Sequence, residues 1–205
     1  MIGILDYGMG NLLSVWNAVQ QLGDTAKICQ CPDDLKDIDR IILPGVGAFR
    51  DCMMNLNNRG FSEALHSFAI IKGMPVLGIC LGMQVMASKG FEGGEHEGLC
   101  WFDSQAVRIR PSDRSLRIPH VGWNEVKYKK DSVFFANIPE SPDFYFVHSY
   151  YMECNNPNDV EATFNYGGTF TAAICKNNIF ATQFHPEKSQ DYGLKVLENF
   201  LKWKP

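Results

Sequence analysis

A cysteine and a histidine far apart in this sequence each stand in a setting that suits covalent catalysis. Cys80 lies in the segment GICLG, where Gly78 and Gly82 give the G-x-nucleophile-x-G spacing of a nucleophile elbow. Small neighbours permit the sharp turn that exposes a nucleophilic side chain at the end of a strand. Free cysteines are commonly buried. Taken alone, this segment therefore favours the other interpretation, a buried cysteine that ends a core strand.

His185 is the histidine whose context best suits a general base. It follows the predicted strand NIFATQF and should therefore emerge at a strand end, with Glu187 two residues later in QFHPEKS. A thiolate paired with an imidazole that a carboxylate orients is the acyl-transfer triad. We therefore predict a triad of Cys80, His185 and Glu187. The other histidines lie in a helical segment, a polar loop and aromatic-rich stretches: His66, His96, His120 and His148.

Composition limits what else this chain can be. Its formal net charge of -4 and its dispersed Lys and Arg residues provide no basic surface for nucleic acid. No apolar run approaches the ~18 residues that a membrane span needs, and the start MIGILDYGMGN lacks the features of a signal peptide. We expect a cytoplasmic protein that binds neither nucleic acid nor membrane.

The cysteines give no sign of a disulfide framework or a metal site. Seven is an odd number, and the spacings are irregular in a chain of 205 residues, so reduced thiols are expected. Cys29 and Cys31 form one C-x-C pair without a second Cys or His pair at zinc spacing. We therefore expect neither a metal nor another cofactor.

Strands and helices alternate in the first half of the chain. Short apolar strands separated by helices predict an α/β fold, an open and mostly parallel sheet covered by helices on both faces. Ligands of such sheets bind outside the carboxyl ends of the strands, which is where Cys80 falls. The predicted strands are MIGILD (1–6), TAKIC (25–29), RIILP (40–44) and PVLGI (75–79), and the predicted helices span 11–22, 61–72 and 81–87.

After residue 100 the pattern becomes that of antiparallel additions to the sheet, followed by a closing helix. No repeat, linker or low-complexity tract interrupts the chain, so we predict a single domain over residues 1–205. The predicted segments are QAVRIR, NEVKYKK, DFYFVHSYYM, VEATFNY, FTAAICKNN and NIFATQF as strands and LKVLENFLKW as the helix.

Four motifs in combination carry a family resemblance over the whole chain. GICLGMQ with FHPEKS resembles the triad-type (class I) glutamine amidotransferases, whose fold is flavodoxin-like. LPGVGAF at 43–49 and PHVGWN at 119–124 narrow the resemblance to the glutaminase subunits of imidazole glycerol phosphate synthase. Met83 stands where several sister amidotransferases carry histidine, which favours this branch over the anthranilate and carbamoyl phosphate types.

The resemblance implies a mechanism and a set of site residues. Cys80 would attack the side-chain amide of L-glutamine, His185 would act as general base and acid, and Glu187 would orient it. The oxyanion would be held by backbone N–H groups of Leu81 and of the loop Gly45, Val46 and Gly47. By the same resemblance, a peptide of this loop would have to flip before its N–H points inward, so the isolated subunit would be nearly inactive. The residues matching positions around the substrate's amino and carboxylate groups are Gln84, Glu92, His148, Ser149 and Tyr150. Gln84 could instead cap a turn, and the HSYY segment could be an ordinary strand end.

The resemblance also implies a partner and an ammonia acceptor. Trp123 and Asn124 would face a (β/α)8-barrel cyclase that receives the ammonia and forms imidazole glycerol phosphate and AICAR in histidine biosynthesis. Trp123 could instead be a core aromatic residue. Two alternatives stay open: a paralogous subunit that supplies ammonia for amidination of a surface-polysaccharide sugar, and a catalytically silent binding subunit that keeps the fold.

Overall fold

The protein, described over all 205 residues by a computed structural model, contains thirteen strands and five α-helices. The strands are β1 (Ile2–Leu5), β2 (Ala26–Cys29), β3 (Arg40–Gly45), β4 (Val76–Cys80), β5 (Ala87–Gly90), β6 (His96–Glu97), β7 (Phe102–Arg108), β8 (His120–Tyr128), β9 (Asp143–His148), β10 (Tyr150–Cys154), β11 (Val160–Asn165), β12 (Thr169–Lys176) and β13 (Ile179–Thr182). The helices are α1 (Leu12–Gln21), α2 (Phe49–Asn58), α3 (Phe61–Leu65), α4 (Leu81–Gln84) and α5 (Gln190–Lys202). A π-helical segment, His66–Ile71, continues α3, and short 3-10 turns lie at Pro32–Asp37, Val133–Phe135, Pro157–Asp159 and Pro186–Lys188.

The main sheet has nine strands and two distinct halves. Strands β2, β1, β3, β4 and β13 are all parallel, in the flavodoxin-like order that places later strands to one side of β1. Strands β12, β11, β8 and β9 then extend the sheet in antiparallel pairs. The fold class predicted from the sequence, a parallel α/β sheet with antiparallel additions in the C-terminal half, is confirmed.

Helices cover both faces of this sheet and enclose two cores. One core packs the apolar sides of α2 and α3, including Phe49, Leu56 and Phe61, against the sheet. The other packs the apolar sides of α1 and α5, including Val19 and Phe200. Because both faces of the parallel strands are buried, β1 and β4 consist almost entirely of apolar residues and glycine.

A second, four-stranded sheet in the order β10, β7, β5 and β6 was not predicted. It divides the predicted strand DFYFVHSYYM in two, since β9 pairs with β8 in the main sheet whereas β10 pairs with β7 in the second sheet. Ser149 is the single residue between these strands. The segment His148–Tyr150 is therefore the point at which the chain passes from one sheet to the other.

Three segments differ from the sequence prediction. The helix predicted over 81–87 is wrong beyond Gln84, because Ala87 begins a strand whose backbone pairs with β7. The helix predicted over 61–72 is α-helical only to Leu65 and continues as a π-helix. Helix α2 was not predicted, since its sequence FRDCMMNLNN carries three asparagines, which have low helix propensity.

None of the helices is both long enough and apolar enough to cross a membrane.

Candidate active site

Cys80 occupies a strained turn between β4 and α4. Its φ of 55° and ψ of -108° lie outside the regions that a residue with a side chain readily adopts. A Cβ atom at Gly82 would lie 1.9 Å from the carbonyl oxygen of Leu43, and one at Gly78 would lie 2.9 Å from that of Gly82. No side chain fits at either position, so the two glycines are what permits the turn. The elbow geometry expected from the G-x-C-x-G spacing is present.

Sheet register brings three strand ends together around the thiol. Gly45, the last residue of β3, pairs with Cys80 on one side. On the other side Thr182 of β13 pairs with Ile79, so the next residue, Gln183, lies opposite Cys80. These are carboxyl ends of adjacent parallel strands, the edge at which open α/β sheets bind ligands.

His185 lies behind this edge, where the carboxylate of Glu187 holds its ring in place. Its Nδ1 lies 2.8 Å from Oε1 of Glu187, and the two side chains are 2% and 1% exposed. The backbone of His185 is fixed by a hydrogen bond from its N–H to the Tyr145 carbonyl and by one from the Ser189 hydroxyl to its own carbonyl. The opposite ring nitrogen, Nε2, is buried and has no hydrogen-bond partner within the chain. That nitrogen is free to exchange a proton with a reacting group.

Two opposing effects set the charge of His185. Burial disfavours the imidazolium form, but interaction with the Cys80 thiol and the Glu187 carboxylate outweighs it and raises the pKa of His185 to about 10. An imidazolium beside a cysteine stabilises the thiolate, which is the form in which a cysteine acts as a nucleophile.

The Cys80 thiol opens into a cavity of about 300 Å³. Gly45 lies beside Cys80 in the sheet, and Glu187 lies behind His185, so neither lines this cavity. Pro119 and Val147 line it without having been predicted. The predicted residues that line it are Val46, Gly47, Cys80, Leu81, Gln84, Glu92, His148, Ser149, Tyr150 and His185.

The glycine loop that lines the cavity contains a residue whose backbone conformation favours glycine. Val46 is 40% exposed, and Gly47 has a φ of 104°, which a residue with a side chain rarely adopts. Helix α4, which begins at Leu81, is a single turn. A single turn provides a weaker dipole than the longer helix expected from the sequence, so the backbone N–H groups themselves carry more of the predicted oxyanion stabilisation.

His148 has no ring N–H left for a ligand. Its Nδ1 lies 2.8 Å from the Tyr150 carbonyl, which can only accept, and its Nε2 lies 3.2 Å from Nδ1 of His120. His120 therefore donates to His148 through Nδ1, and its Nε2 lies 3.4 Å from the Asn124 amide nitrogen. Burial lowers the pKa of His148 to about 3 and that of His120 to about 4, so both rings are neutral at pH 7.

A pair of glutamines joins this polar cluster to the thiol. The Gln84 side-chain N–H donates to the Tyr150 carbonyl at 2.8 Å and to Oε1 of Gln183 at 3.1 Å. The Gln183 N–H in turn donates to the Cys80 sulfur at 3.6 Å. Sequence reasoning missed both Gln183 and His120. The available signal for Gln183 was a second amide, after Asn178, in the strand segment NIFATQF, two residues before His185.

Glu92 lines the cavity and also has a structural role. Its Oε2 accepts a hydrogen bond at 2.9 Å from the backbone N–H of Phe49, the first residue of α2. A carboxylate at a helix N-terminus is favoured by the free N–H groups and the helix dipole. The other carboxylate oxygen has no partner within the chain and remains available to a ligand.

Trp123 and Asn124 lie on opposite faces of β8, as neighbours in a strand must. The Trp123 side chain is 48% exposed and packs edge-on to Tyr145, with ring centroids 6.0 Å apart, so it is not a core aromatic residue. The Asn124 amide instead donates to the Asn165 carbonyl at 2.9 Å and approaches His120. Trp123 thus presents a surface, whereas Asn124 is tied to the histidine pair.

The structure brings together no group of three or more His, Cys, Asp and Glu side chains that could hold a metal ion.

Comparison with known proteins identifies the family. The family model for glutamine amidotransferase class-I matches residues 3–203. The chain is 46% identical to the imidazole glycerol phosphate synthase subunit HisH 1 of Campylobacter jejuni (strain RM1221), over 98% of this chain and 100% of that protein. It is 47% identical to subunit HisH of Desulfitobacterium hafniense (strain Y51), over 99% of this chain and 94% of that protein.

Solved structures agree on the fold. PurLQS from Thermotoga maritima superposes with a TM-score of 0.75 at 16% identity, covering 98% of this chain and 96% of that one. The chain described here therefore belongs to the class-I glutamine amidotransferase family, among the HisH-type subunits of imidazole glycerol phosphate synthase.

Proposed function

We propose that this chain hydrolyses L-glutamine to glutamate and ammonia and delivers the ammonia to a (β/α)8-barrel cyclase subunit. The observation that carries the proposal is the cavity in which the strained Cys80 turn meets the unpartnered Nε2 of His185, with Glu187 behind it. The full-length similarity to HisH subunits supports the same activity.

The residues of the cavity can perform both halves of the reaction. The Cys80 thiolate attacks the side-chain carbonyl carbon of glutamine, and the oxyanion is held by backbone N–H groups of Leu81 and of the Gly45 to Gly47 loop. The His185 imidazolium gives its proton to the departing ammonia, which leaves a glutamyl thioester on Cys80. Neutral His185 then takes a proton from water, whose oxygen attacks the thioester and releases glutamate.

The hydrogen bonds of the cavity residues revise how the substrate is held. The Gln84 amide N–H groups and both His148 nitrogens are occupied within the protein, so neither residue can donate to glutamine. The Gln84 carbonyl oxygen and the free oxygen of Glu92 make no such bonds and suit the substrate's ammonium group. The Ser149 hydroxyl and the backbone of His148–Tyr150 suit its carboxylate.

The similarity to HisH subunits supports a proposal for the partner and the acceptor. The chain would dock its Trp123 surface on the barrel, which forms imidazole glycerol phosphate and AICAR in histidine biosynthesis. All seven cysteines are free, and two of them, Cys31 and Cys100, are exposed, which supports a reducing, cytoplasmic location.

The experiment compares two nitrogen sources for the assembled pair of subunits. Cys80→Ser should abolish product formation from glutamine and leave formation from ammonium salts nearly intact, because the barrel performs the second reaction. Loss of both activities would mean that Cys80 serves folding or assembly. A wild-type pair that uses ammonium but never glutamine would identify a silent subunit, and a glutaminase that does not support the cyclase would point to the sugar-amidating paralogue.

A further inference from the structure

Gln183 contacts the reacting sulfur from a position that no substrate reaches. Its side chain is fully buried, and its backbone N–H is hydrogen-bonded to the Ala172 carbonyl, so the residue is fixed at the end of β13. It does not line the cavity, whereas Cys80 and Gln84, on either side of it, do. Gln183 is therefore placed to act on the thiol and not on a ligand.

The orientation of the Gln183 amide follows from a chain of hydrogen bonds. The Tyr150 carbonyl can only accept, so the group that Gln84 presents to it, at 2.8 Å, must be its NH2. That same NH2 lies 3.1 Å from Gln183, which must therefore present its oxygen to Gln84. The Gln183 NH2 is consequently the end that faces the Cys80 sulfur. The distance from its nitrogen to the sulfur is 3.6 Å, an ordinary length for a hydrogen bond to sulfur.

We propose that Gln183 is a further catalytic residue, whose side-chain N–H donates a hydrogen bond to the Cys80 sulfur and stabilises its thiolate form. This inference rests on the proposed function and adds to it a second group that activates the nucleophile. A donor aimed at a sulfur favours the charged form, and burial of the pair strengthens the effect. Gln84 is then a positioning residue, because it fixes which end of the Gln183 amide faces the thiol.

The test is the pH dependence of Cys80 alkylation by iodoacetamide, followed by peptide mass spectrometry on the free chain without glutamine. Gln183→Met keeps the approximate volume but removes the donor, so the pH midpoint of alkylation should rise by about 1 unit or more. Gln84→Met leaves Gln183 in place but frees the Gln183 amide to turn. The pH midpoint of Cys80 alkylation in this variant should therefore rise by a smaller amount. Thr182→Val, which removes a buried hydroxyl that bonds the Phe184 carbonyl, is the matched control and should leave the midpoint unchanged.

An unchanged midpoint in Gln183→Met would overturn the proposal, and so would an equal shift in Thr182→Val. If Gln183→Met does not fold, Gln84→Met decides the question, since an unchanged midpoint there would overturn the orientation on which the proposal depends. Because the readout needs no glutamine, it separates this inference from the glutaminase assignment. A chain that alkylates as predicted but does not hydrolyse glutamine when it is assembled with the barrel would refute the proposed function alone.

Discussion

At the scale of single residues, the site combines a charged catalytic histidine with a surrounding layer of neutral polar groups. His185 is charged because its interactions with Cys80 and Glu187 outweigh burial and raise its pKa, whereas His148 and His120 stay uncharged because burial lowers the pKa of each. A protonated His148 would repel the imidazolium of His185. The neutral histidine pair therefore protects the charge state that catalysis needs.

Replacing Glu187 with glutamine should weaken catalysis through the charge of His185. The variant loses the carboxylate that orients His185 and helps raise its pKa to about 10, so kcat should fall, but by less than in Cys80→Ser or His185→Ala, as is usual for the orienting member of a triad. Steady-state glutaminase assays of the assembled complex test this order. A loss equal to that of Cys80→Ser would show that Glu187 does more than orient.

The same variant should show a pH-dependent loss of stability. The folded chain keeps the His185 proton up to about pH 10, whereas the unfolded chain releases it near the ordinary value of 6.5. The stabilisation is therefore complete below pH 6.5 and is lost as the pH rises through about 10. The difference in free energy of unfolding between wild type and Glu187→Gln, measured with urea, should be largest near pH 6 and shrink towards pH 10. A constant difference would contradict the assigned charge.

His120→Phe should flatten the acid side of the stability curve. His120 binds a proton at about pH 4 when folded and near pH 6.5 when unfolded, so the wild type loses stability as the pH falls between these values. One such proton changes the free energy of unfolding by up to about 1.4 kcal/mol per pH unit. Phenylalanine keeps the stacking on Phe164 but does not titrate, so its curve should be less steep between pH 6.5 and 4. Parallel curves would exclude a neutral, buried His120.

At the scale of elements, local sequence predicted a segment well where its own residues determine the structure. It predicted poorly where pairing with a strand distant in sequence determines the structure. Helix α1 begins and ends within one residue of the predicted segment 11–22, because Asn11 caps it and its apolar residues recur at helical spacing. The apolar residues of 81–87 have that spacing too, yet pairing with β7 turns the last of them into a strand. The division of 143–152 between two sheets likewise depends on partners distant in sequence.

Prediction of the candidate active site from local sequence has the same limit. The residues of the proposed triad could be singled out because an elbow and an HPE turn are local patterns, and most residues that line the cavity were named through the family resemblance. The hydrogen bonds that occupy His148 and Gln84 join β8, β9, β10, α4 and β13, and no local pattern specifies them. Sequence reasoning therefore named residues that do line the cavity but could not specify which of their atoms remain free.

The elbow makes a stability prediction for its second glycine. In Gly82→Ala the new Cβ would meet the Leu43 carbonyl, a backbone atom that cannot move aside, so the free energy of unfolding should fall by about 3 kcal/mol or more. Gly23→Ala is the matched control, with a φ of 81° and open space around it, and should cost about 1–2 kcal/mol. Urea unfolding measures both, and equal losses would mean that the elbow does not need its glycine.

At the scale of the whole molecule, we propose that residues 1–205 form one domain, because both cores pack on the same central sheet. The molecule presents the cavity and the Trp123 surface separately, and they are linked because β8, which carries Trp123, pairs with β9, which ends at the cavity residue His148. A partner docked on β8 is thereby placed to influence the segment His148–Tyr150 and the residues bonded to it.

Partner binding should act on kcat more than on KM. If docking turns the Gly45 to Gly47 loop so that an N–H faces the oxyanion, it adds a donor worth ~10²- to 10³-fold in rate, expressed only in the transition state. The isolated chain should therefore bind glutamine but turn over slowly. Glutaminase kinetics with and without the barrel and its acceptor ligand test this, and a fully active lone chain would refute the gating.

Trp123→Ala and Asn124→Ala should both weaken stimulation by the barrel but differ in stability. Trp123 is half exposed, so its loss should change the free energy of unfolding little, whereas Asn124→Ala should cost about 1 kcal/mol because it removes the hydrogen bond to Asn165. Titration of the barrel against glutaminase activity, with urea unfolding of the free chains, separates the two effects. Full stimulation of Trp123→Ala would exclude this surface as the docking site.

The assignment of Cys80 as the nucleophile is tested most directly by its reaction with a glutamine-mimicking diazo-ketone. The chain supplies its own controls, because Cys31 and Cys100 are exposed and far better placed than Cys80 for any reaction that depends on access alone. Peptide mass spectrometry after labelling should find the adduct on Cys80 alone, and excess glutamine should prevent it. Adducts on Cys31 or Cys100 with Cys80 unmodified would contradict the central claim.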